Sequence, residues 1–270
     1  MKKIIALLLV LVMSAMCLAA CAPAETVEDN ELPILTMATN AAFPPYEYIE
    51  GGEIVGIDAE IAAALAEKLG MTLEIVDTEF GSIIGGVQSG KYDVGLAGMT
   101  VTEERLEEVN FSNTYAKGVQ AVIVKEDSDY VSYEDFYTGY DEEGNPNGVI
   151  EGFKVGVQQD TTGDIYSSAD PEGWGFGDAN VVRYKTGAEA VQALLTDKVT
   201  CVIIDNEPAK EFVKANEGLK ILDGAYTEED YAICIAKENT ELLENINKAL
   251  AELETEGVLA GIIEKYIPTK

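Results

Sequence analysis

Twice along this chain, short apolar runs alternate with amphipathic stretches, and that repetition constrains the fold more than any other feature. In the first array ILTMAT (34–39), LEIV (73–76) and YDVGLA (92–97) have the length and residue types of strands. Between them Ile61, Leu65 and Leu69 share one helical stripe, and Phe80, Ile83, Ile84 and Val87 share another. Asp58 stands where it can cap the first of these helices and Gly70 where it can stop it, and Thr102 stands ahead of a short acidic helix. The second array runs FKVGVQ (153–158), a helix opened by Thr161 or Thr162, Val181–Tyr184, a helix over 188–196, Cys201–Asp205 and a helix over 207–215. Val119–Lys125 and Tyr231–Lys237 are further apolar strands, and two amphipathic helices, 240–256 and 258–266, follow. Two successive βα arrays predict two α/β lobes with largely parallel sheets. Ligands of such lobes sit beyond the C-terminal ends of the strands, so two facing lobes form a cleft.

Residues 126–152 separate the arrays and are polar and rich in Tyr, Gly and Asn. The segment DEEGNPNG (141–148) opens like a calcium loop, but Pro146 stands where Gly is needed and Gly152 where the closing Glu is needed. A hairpin turn is expected there instead.

With 18 Lys and Arg against 49 Asp and Glu, a net charge of −31, the chain can assemble no basic face, which excludes nucleic acid as a partner. It contains no histidine, so Ser–His triads, imidazole metal sites and histidine bases are ruled out. No metal or organic cofactor is expected, and no catalytic residue is assigned.

The N-terminus carries an address. Lys2 and Lys3 precede an apolar run from Ile4 to Val12 and then small residues ending Leu18-Ala19-Ala20-Cys21, the three parts of a signal peptide over residues 1–20. LAAC resembles the bacterial lipobox, which implies cleavage before Cys21, loss of Cys17, and an extracytoplasmic protein anchored to the cell membrane through lipidated Cys21. Residues 21–32 are acidic and poor in large apolar side chains and read as a flexible tether. Cys201 and Cys234 lie in apolar runs, where free buried thiols and a disulfide between neighbouring strands are both open.

Polar residues just beyond the strand ends form a short list: Asn40, Phe43 and Tyr46 after the first strand, Gly98, Met99, Thr100 and Arg105 after the third. In the second array they are Gln159, Asp160, Thr161 and Thr162, then Asp205 and Asn206. Arg105 stands out because Arg183 is the only other arginine, and a guanidinium holds a carboxylate with two bonds as lysine cannot. Its plainer role would be a surface ion pair with Glu103, Glu104 or Glu108. Thr161 and Thr162 at a helix start suit an anion, or simply cap the helix. Asp205 supplies a carboxylate for an ammonium group, and Phe43, Tyr46 and Phe80 are candidate aromatic walls or core. An anion clamp opposite a carboxylate describes a site for a zwitterion, as an α-amino acid requires.

The stretches FPPYEYIEGGEIVGID, SGKYDVGLAGMTVTEER, FSNTYAKGVQAVIV, KVGVQQDTTG and CVIIDNEPA, in that order, resemble the polar-amino-acid solute-binding proteins of ABC importers. The resemblance runs from about Ile34 to Ile267. It implies a two-lobed periplasmic-binding-protein-like (type II) α/β fold with two hinge-crossing strands, a monomer that closes on an amino acid and delivers it to a membrane permease. It further implies that Arg105, Thr100 and the backbone at Thr161 and Thr162 hold the ligand carboxylate, Asp205 and Gly98 the amine, and Phe43 and Phe80 the side chain. Lobe 1 is expected to comprise 33–122 plus 237–270, and lobe 2 123–236. Two departures bear on the ligand: Asn40 replaces a common Asp, which favours a neutral polar ligand such as glutamine over a basic one or cystine, and Asp160 replaces a common Gly. Segments 132–152 and 166–179 are longer than usual, the second carrying Trp174. Other readings are an enzyme on the same fold, such as a dehydratase or a peptidoglycan lyase module, and a sensor domain. Glu47 and similar carboxylates show no catalytic partner, and no spanning segment follows Ile267, so a free-standing receptor is expected.

Overall fold

The computed structural model describes residues 32–268. The signal peptide, Cys21 and the tether up to residue 31 lie outside the described residues. One sheet orders the strands Thr72–Asp77, Ile34–Thr39, Val94–Gly95, Cys234–Ala236 and Val109–Phe111, the first three parallel and Cys234–Ala236 antiparallel to both neighbours. The other orders Val181–Tyr184, Val155–Gln158, Cys201–Asp205, Ala116–Lys125 and Leu219–Ile221, with Thr227–Tyr231 also pairing with Ala116–Lys125. Its first three strands are parallel and the rest antiparallel.

Helices cover both faces of each sheet, which is why the central strands are apolar on both sides. Ile57–Leu69, Thr240–Thr255 and Val258–Tyr266 bury Ile61, Leu65, Ile246, Leu250 and Leu253 against Leu35 and Met37. Ile83 and Val87 cover the opposite face beside Met99 and Cys234. In the second lobe Gly187–Leu195 packs Val191 and Leu194 on Ile204, while Phe136, Phe153 and Phe176 fill the other side. The expected hairpin is present: Tyr137–Tyr140 pairs with Pro146–Val149, and the Asp141 carboxylate accepts the N–H groups of Glu143 and Asn145 across the turn.

Three expectations are corrected. Ala116–Lys125 pairs with second-lobe strands along its length and Cys234–Ala236 belongs to the first sheet, so the chain crosses near 112–115 and 232–233 rather than at 122 and 237. Apolarity marks a strand as buried but not the sheet that buries it. Asp58 is not a cap, since Gly56 holds that position and the Asp58 side chain turns inward. Tyr92–Ala97 is ladder-paired only at Val94–Gly95. Of the two states left open for the cysteines, the structure has the first: Cys201 and Cys234 are buried, free thiols in separate sheets.

Candidate functional site

Where the two lobes meet, a cavity is walled by both. Lobe one supplies Asn40, Phe43, Glu47, Phe80, Gly98, Thr100 and Arg105, and lobe two Gln158, Thr161, Thr162 and Asp205. Gln120 and Tyr231, from the strands next to the crossovers, complete the wall.

Arg105 is the cationic end. It sits in the six-residue helix Glu103–Glu108, which Thr102 caps by accepting the Arg105 backbone N–H at 3.2 Å. Its guanidinium is turned inward, donating from Nη1 to the Thr100 carbonyl at 2.8 Å and from Nη2 across the cleft to the Asp160 carbonyl at 3.0 Å. The Phe80 ring lies beneath it, 5.3 Å away. Only 6% of Arg105 is exposed, and this burial pulls its pKa below the usual range. Among the described residues it enters no ion pair, so the guanidinium is held by neutral carbonyls rather than by Glu103, Glu104 or Glu108. A guanidinium has five N–H donors. The two spent on carbonyls leave three for an anion.

Thr161 caps the helix Thr162–Ser168 and anchors its own hydroxyl on the Gln158 carbonyl at 2.8 Å. Thr162 Oγ1 faces Thr100 Oγ1 across the cleft at 3.5 Å. Asp160 has a φ of 64° and an exposed side chain that does not line the cavity. Its carboxylate fits against Gly81 of the facing lobe, where an added Cβ would lie 2.1 Å from Oδ2. Arg183 braces this turn from behind: its Nε donates to both oxygens of Asp164 at 2.9 Å, and Asp164 Oδ2 accepts the Asp160 N–H at 3.1 Å.

Asp205 is the anionic end. It closes the strand Cys201–Asp205, caps Asn206–Ala215 through the Glu207 N–H, and accepts the Tyr231 hydroxyl at 2.7 Å and the Val119 N–H at 2.8 Å. Burial pushes its pKa up to about 6 against the opposing pull of those donors.

The remaining candidates divide. Asn40 lines the cavity, donating to the Thr78 carbonyl and accepting Gln158 Nε2 at 2.9 Å from the opposite lobe. Gly98 has a φ of 51°, and a side chain there would meet the Phe43 ring at 2.9 Å. Tyr46, Met99 and Gln159 do not line the cavity. Tyr46 is buried behind Phe43, with ring centroids 5.8 Å apart, and meets Tyr231 edge-on. Met99 packs on Ile83 and Val87, and Gln159 is exposed.

Seven lining residues were outside the expected set: the polar Gln158, Gln120, Glu47 and Tyr231 and the apolar Ala97, Ile203 and Ile204. Glu47 is 1% exposed and its Oε2 has no hydrogen-bond partner among the described residues; Gln120 Oε1 likewise has none. Behind Glu47 lies Asp58, fully buried, whose Oδ2 accepts the Gly98 N–H at 2.8 Å and the Tyr115 hydroxyl at 2.9 Å. Among the described residues no group of three or more Cys, Asp or Glu is placed to hold a metal ion. The lining thus offers fixed charges of both signs and directed hydrogen bonds within a largely buried space.

The arginine-binding extracellular protein ArtP of Bacillus subtilis is 32% identical over 268 residues, covering 98% of each chain. An ancestral arginine-binding protein bound to glutamine superposes with a TM-score of 0.76 at 37% identity, over 87% of this chain and 98% of that one. An ancestral amino-acid-binding protein, AncCDT-1, described as a precursor of cyclohexadienyl dehydratase, does so at 0.74 and 28%, over 86% and 95%. The model of the bacterial extracellular solute-binding proteins, family 3, matches residues 35–269, and the chain belongs to that family.

Proposed function

We propose that this protein is an extracytoplasmic receptor, lipid-anchored through Cys21 and monomeric, that closes its lobes on an amino acid and delivers it unaltered to the permease of an ABC importer. The observation that carries the reading is the pairing, in one cavity, of a buried Arg105 free of carboxylate partners with a buried Asp205. Arg105 meets an α-carboxylate and Asp205 an α-ammonium, so the two ends match the zwitterion common to all amino acids. Together they use one positive and one negative wall.

Glu47 is then left over, and it bears on the ligand side chain. Asn40 alone argued for a neutral polar ligand, but a buried acid facing the same space supports a side chain rich in N–H donors. We therefore place arginine first and glutamine second. The named relatives, an arginine-binding protein and an ancestral one holding glutamine, support these two amino acids.

A thermal-shift panel of the twenty amino acids with citrulline, ornithine and cystine tests this, followed by calorimetry. Ligand at 100 times its Kd should stabilise the fold by about 2.7 kcal/mol. Chromatography should recover the ligand unchanged after incubation. Absence of any stabilising amino acid, or its conversion to product, would overturn the proposal.

A further inference from the structure

Glu47 and Asp58 are both buried, and a hydrogen bond joins their carboxyl groups. Glu47 stands on the strand Glu47–Glu50 at the cavity wall, and Asp58 on the second residue of the helix Ile57–Leu69 behind it. The two ends of the pair are unequal. Asp58 Oδ2 has two donors, the Gly98 N–H and the Tyr115 hydroxyl, whereas Asp58 Oδ1 and Glu47 Oε2 have none. A buried acceptor without a donor is costly and two adjacent carboxylates repel, so this pair needs a hydrogen between its two carboxyl groups.

We propose that Glu47 and Asp58 share one proton in the ligand-free cleft, with Asp58 as a positioning residue, and that a cationic ligand side chain expels that proton on binding. The inference rests on the reading that Glu47 faces the ligand side chain. The donors on Asp58 favour its ionised form, so Glu47 carries the hydrogen and Asp58 accepts it. Burial first, and then the Asp58 charge, hold Glu47 well above the usual carboxylate range, while burial pushes Asp58 up to about 6. The other titratable groups bearing on the pair are Asp205, Tyr46 and Tyr115, all buried. On binding, the Glu47 O–H bond breaks, its proton passes to the buffer, and an N–H of the ligand cation takes its place as donor. No electrons are transferred, and the net charge of the cleft with its cationic ligand is unchanged. A neutral side chain leaves the proton where it is and meets a protonated Glu47, which can both donate and accept.

L-arginine and L-citrulline distinguish these states, since they differ in charge but hardly in shape. Calorimetry in two buffers of different ionisation enthalpy counts protons released per ligand. Asp205 contributes equally to both ligands, so their difference isolates Glu47. The expected difference is about one proton at neutral pH, with arginine affinity gaining up to about tenfold per pH unit relative to citrulline as pH rises below the free-state pKa of Glu47. Glu47→Gln should abolish the difference and weaken arginine selectively. Asp58→Asn removes the Asp58 charge and offers Glu47 an amide N–H in place of an acceptor, so arginine still binds but the difference and its pH slope shrink. A purely structural Asp58 would instead weaken both ligands and preserve the difference. Tight arginine binding by the native protein with no excess proton release would overturn the shared proton and leave the receptor reading intact. Binding of neutral amino acids with arginine excluded, and unaffected by Glu47→Gln, would overturn the placement of Glu47 itself.

Discussion

Replacing Arg105 by alanine is the sharpest test of the cleft. The side chain is buried, and its fixed partners are two carbonyls and an aromatic face, none of which neutralises it. The ligand carboxylate is therefore the natural counter-charge, and its removal from water is compensated only by Arg105 and nearby N–H groups. Truncating one member of such a desolvated pair costs about 2–5 kcal/mol, or roughly 30-fold to several thousand-fold in Kd. Arg105→Ala also removes the Nη2 bond to the Asp160 carbonyl, one of the hydrogen bonds that cross the cleft, so the upper part of that range is expected. Arg105→Lys should recover only part, because an ammonium cannot hold Thr100, Asp160 and the ligand with one planar fork. Most of the loss should lie in the dissociation rate. Lys214→Ala is the control, an exposed helix lysine paired with Glu211. Calorimetry with the tightest-binding amino acid decides the matter, and an Arg105→Ala protein whose Kd lies within threefold of native would refute the reasoning.

Three further perturbations follow from neighbouring contacts. Gly81→Ala forces a Cβ onto Asp160 Oδ2, a clash that exists only with the lobes together, so ligand Kd should weaken about 5- to 150-fold for about 1–3 kcal/mol of overpacking; adding Asp160→Gly should restore it, and a double mutant no better than the single would reject the contact. Arg183→Ala leaves the buried Asp164 carboxylate without its strongest partner, so a lower Tm and weaker binding are expected together, and an unchanged protein in both assays would show that the brace is idle. Cys21→Ser should abolish lipid labelling and membrane association in cells while the purified protein binds its ligand with native affinity; continued labelling would remove the anchor from the proposal.

Much of the architecture was legible because its signals are local. Val181–Tyr184, Cys201–Asp205 and Val258–Tyr266 have the bounds their periodicity predicts, and Gly70 stops its helix with a φ of 66°. The short strands Leu219–Ile221 and Thr227–Tyr231 were not legible. TEEDY carries three acids in a row, yet it pairs with Ala116–Gln120 because backbone hydrogen bonding does not require apolar side chains. Asp58 was misassigned for a similar reason. Its sequence position fits a helix cap, while its actual partners, Gly98 and Tyr115, lie about forty and sixty residues away in the chain and meet it only through the fold.

At the site, the three errors and two of the omissions, Glu47 and Gln158, share one cause. Each residue that failed to reach the cavity is the immediate neighbour of one that does: Tyr46 precedes Glu47, Met99 lies between Gly98 and Thr100, and Gln159 follows Gln158. Extended backbone sends successive side chains to opposite sides, so a polar segment beyond a strand end locates the site without saying which alternate residues enter it. The register supplies what the segment lacks. Phe43 pairs directly with Glu47 across the Ala42–Phe43 and Glu47–Glu50 ladder, and directly opposed residues share a face. If Phe43 faces the cleft, Glu47 must face it too, and Tyr46 must turn to the core, where it stacks on Phe43 and meets Tyr231 edge-on. The same alternation puts Gln158 across from Asn40 and leaves Gln159 in solvent. A one-residue shift of parity thus separates a cleft with a neutral amide wall from one that also holds a buried acid.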